Sequence, residues 1–567
     1  MSVTDGNAIA KITVVSLTIV IAFVMACYLA SYGVRLVLKV GTSDLGMLDA
    51  WRYWQMRSDP RLVPYVASMR NVLVGVLGSI AALIAIGLFA VLRGTRQKMY
   101  GDSRFAPSSE IARKGLFNED GQGIIVGRLG TKLLRFQGQQ FVMLAAPTRS
   151  GKGVGVVIPN LLTYSDSVVV LDIKGENFDL TSGWRASQGQ SVYRLDPFAT
   201  DGRTHRWNPL SYVDDDPSQR ISDLMAIAAM LYPDGDAAQK FWVSQARNAF
   251  LALTMFAFDR FTHFNEFGFN GDAEKPSLGQ IYRLSVGTES DLRSALRSLR
   301  DQPFTADRTR TAFDGLLSQA DETFASIMGS VREPLNAWVN PILDAATAAD
   351  DFDLRDVRRR KTSIYVIIPP SKLAEAKLLV NLFFSQLLNV NTRELPQNDS
   401  SLKYQCLLLL DEFTSIGKVE IIATAVAYMA GYNLRLLPII QSVAQLDAVY
   451  GKELSRTLIT NHALQILYAP REQQDAKDYS EMLGETTVIK LSRTKAKETS
   501  VSESEERRAL MLPQELKAMG DDRAILIVEG MKSPVMCSKI RYYKERQFTE
   551  RLLPSVEVKQ LDFDSLM

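Results

Sequence analysis

Six short, almost wholly apolar runs punctuate the chain beyond residue 140: FVMLAA (141–146), SVVVLDI (167–173), SIYVIIP (363–369), CLLLLDE (406–412), LRLLPII (434–440) and ALQILYA (463–469). Strands that read as continuous apolar runs are buried on both faces, and this is the habit of a parallel sheet with helices packed on either side. Helical stretches separate the runs, so an α/β domain with a sheet of at least six strands is expected from about residue 100 onward. Residues 217–350 carry almost no strand-like run. Segments such as AAQKFWVSQARNAFLALTMFAF and FDGLLSQADETFASIMGSVREPLNAW read as helices, giving an all-α domain inserted between sheet strands. The Ser/Thr-rich, charged segment 492–508 (SRTKAKETSVSESEERR) reads as an exposed mobile loop.

The 567 residues suffice for several domains at roughly 100–200 residues each. With 46% hydrophobic and 23% charged residues, a disordered or collagen-like chain is excluded. The formal net charge of +2 argues neither for nor against a nucleic-acid partner, since a local basic channel is compatible with a neutral total. Cys27, Cys406 and Cys537 lie far apart in apolar surroundings, which fits a reducing compartment and not a disulfide framework. His205, His263 and His462 are isolated from one another and from the cysteines, so they read as ordinary structural or surface residues.

Ahead of the α/β region lie two long apolar runs, 12–40 and 71–92, each able to cross a hydrocarbon core of ~30 Å as a helix. The second run has no charge. The first carries Arg35 and Lys39 only near its end, where long side chains reach the interface. The connecting segment holds Trp51, Tyr53, Trp54 and Tyr65, residue types that settle at headgroup level. Residues 1–99 are therefore expected to form a two-helix membrane anchor with both termini on one side. Basic residues flank both sides, so the location of the nucleotide chemistry must set the orientation.

That chemistry begins at the end of the first strand. FVMLAA runs into Pro147, Thr148, Arg149, Ser150, Gly151, Lys152, Gly153 and Val154, and then into a helix-compatible stretch. In a strand–loop–helix context, successive backbone N–H groups surround a β-phosphate, and a lysine at position 152 reaches the β/γ oxygens. The pattern departs from GxxxxGK[ST] at two places. Ala146 stands at the first glycine, and Gly153 replaces the hydroxyl residue that ordinarily ligates Mg²⁺. A second signal is CLLLLDE, which ends in Asp411 and Glu412 at the carboxyl end of a very apolar strand, where α/β sheets place ligands. Asp411 is expected in the Mg²⁺ shell and Glu412 as the group that orients or deprotonates the attacking water. Gln441, after LRLLPII, offers a side-chain amide to a γ-phosphate.

Taken together, PTRSGKGVGVVIPNLL (147–162), VVVLDIKGENFDLTSGWR (168–185), LDPF (195–198), RWNPL (206–210), LLLLDEF (407–413), AYMAGYNLRLLPIIQSVAQLDAVYG (427–451) and REQQDAKDYSEMLG (471–484) resemble the type IV coupling proteins, the membrane-anchored ATPases of conjugation and type IV secretion. The resemblance covers most of 100–545. It implies a RecA-like motor in two parts, 100–216 and 351–545, around the all-α domain 217–350, with 546–567 as a tail. It further implies ATP and Mg²⁺ as cofactors, a homo-hexamer, and a bacterial inner-membrane location with the bulk of the chain cytoplasmic. The partners it implies are a relaxase with attached DNA, protein effectors, and the proteins of the secretion channel. Carried over, Thr148 to Gly153 are the phosphate loop, Asp411 and Glu412 the acidic pair, and Gln441 a sensor-like glutamine. Lys174, Glu176 and Asn177 resemble a signature near the nucleotide. Arg435 and Arg471 are the arginines considered for a finger reaching a neighbouring subunit, and neither is assigned. Two other functions compete: a substrate receptor that uses nucleotide only for assembly, and an FtsK-type DNA translocase. The helical insertion and the DIKGENFDLTSGWR segment argue against the second.

Overall fold

The computed structural model describes residues 21–92, 99–118, 123–234, 239–267, 275–287, 291–495 and 499–561. They fall into two units, Met1–Met99 and Tyr100–Met567.

In the first unit a helix over Ile21–Val37 packs against a second helix, Val66–Leu92, which begins five residues ahead of the expected span. The start of the first expected span, 12–20, lies outside the described residues. Contact between the helices is close at Gly33, where a Cβ would come within 2.7 Å of Val72 Cγ1. A small residue at a helix crossing is what allows that approach. Val34 and Met69 are fully buried there, whereas Val74 and Leu77 point outward. Between the helices, Arg35 ion-pairs with Asp49 at 2.5 Å and donates to the carbonyls of Gly41 and Asp44. The basic residue at the end of the first apolar run is thereby tied to the connecting segment.

The second unit is built on an 11-stranded sheet. Its strands are β1 (Ile124–Leu129), β2 (Lys132–Phe136), β3 (Val142–Ala145), β4 (Ser167–Asp172), β5 (Ser191–Leu195), β6 (Thr362–Ile367), β7 (Cys406–Leu410), β8 (Leu434–Ile440), β9 (Leu464–Leu467), β12 (Arg523–Val528) and β13 (Val535–Ser538); β10 (Glu485–Lys495) and β11 (Thr499–Ala509) pair separately. The order is β2-β1-β13-β12-β9-β3-β8-β7-β4-β6-β5. From β9 to β5 every neighbour is parallel. Each of the six apolar runs holds one of these parallel strands. The antiparallel extension β12-β13-β1-β2 was not anticipated. β1, β2 and β13 are short or broken by Gly127, Arg128 and Arg135, whereas β12 (RAILIV) carries an apolar run of the same kind that went unrecognised.

Alternation divides each parallel strand between two cores. Met143, Val169, Leu171, Leu408 and Leu410 face one layer, and Leu144, Val168, Val170, Leu407 and Leu409 face the other. The first layer continues without a break into the helices that follow β5. These include Pro217–Leu231, Lys240–Glu266 and Asp321–Leu335, with Phe250, Ile327 and Val331 buried in the same cluster. No strand forms between β5 and β6 among the described residues. The helix Leu373–Asn391 is apolar and long enough to cross a bilayer with the turn before it, yet Leu382, Phe383, Phe384 and Leu387 are fully buried in this core.

The 492–508 segment differs from expectation. It forms most of an antiparallel ribbon, β10 with β11, in register from Glu485↔Ala509 to Lys495↔Thr499. Thr486, Thr487, Val488 and Ile489 supply β-branched residues, and the charges on facing strands pair, as in Lys490–Glu506 at 2.9 Å and Arg507–Glu485 at 2.5 Å. The polarity read as a loop belongs to a two-stranded ribbon. Residues 546–561 also pack: Phe548 is fully buried and Val558 joins the core.

Arg435 illustrates how the sheet is closed at the amino ends of its strands. It is fully buried on β8, and its guanidinium donates to the carbonyls of Gln140 (2.9 Å) and Phe136 (2.8 Å). A side chain committed inside its own subunit cannot serve as a finger in another. Replacing it by methionine should cost about 2–4 kcal/mol in urea unfolding, because two buried carbonyls lose their donor. An unchanged unfolding midpoint would contradict that role.

Candidate nucleotide-binding site

The loop after β3 is set by two left-handed residues, Arg149 (φ 60°) and Gly151 (φ 84°). Glycine meets that requirement without cost, whereas arginine does so under local strain. The Ser150 N–H donates to Pro147 O at 3.2 Å and the Gly155 N–H to Gly151 O at 2.8 Å, turning the chain into a helix that opens at Lys152 with a π-helical turn, Gly153–Val157. Gly155 admits no side chain, since a Cβ would lie 2.7 Å from Tyr468 Oη. At Gly153 a Cβ would meet nothing within 4 Å, so space does not explain the missing hydroxyl residue. Thr148 and Arg149 are exposed; Ser150, Lys152, Gly153 and Val154 are half-buried.

Two neighbouring strands, β8 and β7, bring the remaining side chains to this loop, because β8 lies between β3 and β7. Lys152 Nζ donates to Glu412 Oε1 and lies 3.7 Å from Asp411 Oδ1. Gln441, at the end of β8, donates from Nε2 to Glu412 Oε2 at 2.7 Å and accepts from Thr148 Oγ1 at 3.0 Å. Lys152, Asp411, Glu412, Gln441 and Thr148 thus form one network. Glu412 adopts a left-handed backbone (φ 54°, ψ 45°), and Ser415 donates to its carbonyl through N–H and hydroxyl. A non-glycine residue held there is the kind of strain that concentrates at functional sites. Burial pushes the Asp411 carboxyl above the usual carboxylate range. The Lys152 charge opposes that push, and Glu412 adds to it.

The turn after β4 adds a residue the sequence did not single out. Asp172, which pairs with Ile367 and follows the Leu171↔Leu410 pair at the acidic strand end, accepts from the N–H groups of Gly175 (2.9 Å) and Phe178 (3.0 Å). Burial raises it to about 6, the backbone donors pull it back, and Asp411 adds to the rise. It holds the DIKGEN turn, in which Lys174 and Glu176 are exposed and Asn177 is buried. Gln445 extends the network, donating to Gln441 Oε1 at 3.4 Å. One helical turn after Gln441 was the only signal for it. Arg471 is exposed ahead of the helix Gln473–Leu483.

Two buried polar atoms here have no hydrogen-bond partner, Ser150 Oγ and Asp411 Oδ1. Buried polar atoms are rarely left so, and these two suit a phosphate and a metal-bound water or metal respectively. The residues present therefore fit a nucleotide with Mg²⁺: Thr148 to Val154 would hold the phosphates and Asp411 the metal.

A lysine-bearing loop after one parallel strand, acids after a second and a polar amide after the strand between them suit a nucleotide-binding NTPase fold. The chain belongs to the type IV secretory system conjugative DNA transfer family, which matches residues 97–562. It is 29% identical to protein VirD4 of Rhizobium radiobacter, over 88% of this chain and 71% of the relative, and 30% identical to VirD4 of Rhizobium rhizogenes, over 72% and 59%. Conjugal transfer protein TraG of Escherichia coli is 25% identical over 78% and 72%. Among solved structures, unbound TrwBdeltaN70, a bacterial conjugative coupling protein, superposes with TM-score 0.56 at 17% identity, covering 80% of this chain and 98% of that one. The plasmid coupling protein TrwB in complex with ADP and Mg²⁺ gives 0.55 at 17%, covering 79% and 96%.

Asp172, pushed up to about 6 by burial, binds its proton more tightly in the folded chain, and burial shifts Asp411 the same way, so the contribution of each to stability falls as pH rises toward its folded value. Lys152→Met removes the charge that opposes the rise at Asp411. Its melting temperature should fall below the wild type's at about pH 7.5, with the gap narrowing toward about pH 5. A gap independent of pH would mean that the ion pair is not the cause.

Proposed function

We propose that this chain is an inner-membrane ATPase of the coupling-protein class, recruiting a relaxase–DNA complex, protein effectors, or both, to a type IV secretion channel and driving their transfer by ATP hydrolysis. Family membership supports the coupling role. The observation that carries the motor reading is the convergence of Lys152, Glu412 and Gln441 from three adjacent strand ends on one loop. A receptor that merely stores nucleotide has no need of a carboxylate held between a lysine and an amide.

In this reading the backbone of Thr148 to Val154 cradles the phosphates, and Lys152 Nζ neutralises β/γ oxygen charge. Mg²⁺ supplies further neutralisation on the phosphates when held by Asp411. Glu412 takes the proton of the attacking water on a carboxylate oxygen. Gln441 keeps that carboxylate aimed and reports the γ-phosphate to its neighbours on β8 and to Gln445. Nucleotide binds between subunits of a homo-hexamer, and cargo is received by the helices between β5 and β6. The outward-facing Val74 and Leu77 of an apolar helix, Val66–Leu92, support a membrane anchor, with the first apolar run as its companion. Because ATP is cytoplasmic, residues 100–567 lie on that side and the segment joining the spans on the other.

Full-length protein in nanodiscs should hydrolyse ATP, and Lys152→Ala should abolish hydrolysis and transfer while leaving the protein in the membrane. Glu412→Gln should retain ATP and lower turnover by roughly 100-fold or more, within the range for removing a catalytic proton acceptor. Normal transfer by Glu412→Gln would move the function to a receptor. Stimulation by single-stranded DNA that falls steeply with salt would identify DNA as cargo, and its absence would favour protein.

A further inference from the structure

Against the backbone of the phosphate loop sits a lysine that the sequence did not single out. Lys539 follows β13, 389 positions from the loop, and is 9% exposed. Its Nζ donates to Ser150 O at 3.1 Å and lies 3.7 Å from the centroid of the Tyr468 ring. Its backbone N–H donates to Asp522 O at 2.7 Å, and the Tyr468 N–H donates to Ala145 O at 3.0 Å, which fixes both residues to the sheet beside the loop. Next to it, Ile540 O lies 3.3 Å from where a Gly155 Cβ would be.

We propose that Lys539 is a positioning residue of the nucleotide site, orienting the Ser150–Gly151 peptide so that its N–H faces the phosphates. The inference rests on the nucleotide reading and deepens it. In a trans peptide the C=O and the following N–H point in opposite directions. Pinning the Ser150 carbonyl backward onto an ammonium therefore turns the Gly151 N–H forward, and among the described residues no protein group accepts that N–H. The left-handed Gly151 beside it completes the concavity of successive N–H groups that binds anions. A carbonyl turned the other way would present a negative end to the phosphates. The buried charge of Lys539 also adds to the positive field of the loop without touching the ligand.

The groups facing the ammonium are Ser150 from the loop, Tyr468 after β9, Asp521 and Asp522 from the turn before β12, and Arg541 from its own segment. None is an ion-pair partner within reach among the described residues. Burial lowers Lys539 to about 8, with Asp521 and Asp522 opposing and Arg541 assisting. Raising pH through that value converts a charged donor into a weak neutral one, so nucleotide binding should loosen with it. Arginine keeps its charge across the range.

The test is calorimetric titration of ADP with Mg²⁺ into the full-length protein in nanodiscs, for wild type, Lys539→Met and Lys539→Arg, at about pH 7 and about pH 9, where protonation differs across a value near 8. Lys539→Met should bind ADP roughly 10-fold more weakly at the lower pH, the scale of one charge-assisted hydrogen bond. Wild-type affinity should fall several-fold by the higher pH, and Lys539→Arg should remove most of that fall. In turnover assays the methionine variant should raise KM for ATP more than it lowers kcat. Wild-type affinity in Lys539→Met, or the same pH dependence in Lys539→Arg as in wild type, would overturn the assignment. If Lys539→Met does not fold, the arginine comparison decides alone. A wild type that binds no ADP would instead remove the nucleotide reading itself.

Discussion

One lysine charge shared by two carboxylates organises the upper edge of the sheet. Asp411 and Glu412 end a strand whose other residues are fully buried, and carboxylates in such a place need a cation within a few ångströms. Lys152 supplies it because β3 and β7 flank β8, and the register sets Ala145 beside Ile440 and Leu410 beside Pro438, so the residues just past β7 come level with the end of β3. The kink that aims the lysine, the left-handed Glu412 and the Gln441 amide all serve the same geometry. Each lies at a strand end and each costs local freedom, which the apolar sheet below can sustain because it is buried on both faces.

How much of this could be read in the chain follows from the reach of each signal. Runs such as CLLLLDE announce themselves because a strand buried on both faces needs no alternation, and all six became parallel strands. The strand, turn and helix around Lys152 were legible despite Ala146 and Gly153, since their order follows from the apolar run and the glycines after it. Residues whose role depends on distant pairing were not legible. Asp172 owes its raised pKa to burial in the assembled sheet, and Lys539 meets Ser150 across most of the chain. The segment 492–508 was misread because polarity alone does not separate a strand from a loop.

Charge and hydropathy, read without burial, mislead in both directions. Arg435 looks like a candidate finger until its donors are found inside the fold. The stretch 370–391 is apolar enough for a membrane span, yet its leucines and phenylalanines form the centre of the soluble core. Val66–Leu92 has a similar composition and leaves Val74 and Leu77 facing outward. Only the location of those side chains distinguishes a core helix from an anchor helix.

The helices between β5 and β6 stand where an ordinary α/β protein has a single crossover helix. Two adjacent parallel strands require some connection of that kind, since no tight turn can join them. The whole helical region is in this sense one enlarged connection, and its two ends are fixed by strands that pair with each other in register from Ser191↔Thr362 to Leu195↔Val366. Lengthening a connection between fixed ends costs little chain entropy, rising only with the logarithm of its length. Such a segment can be exchanged or grown between relatives while the strand order, and with it the loop and the acidic strand end, stays the same.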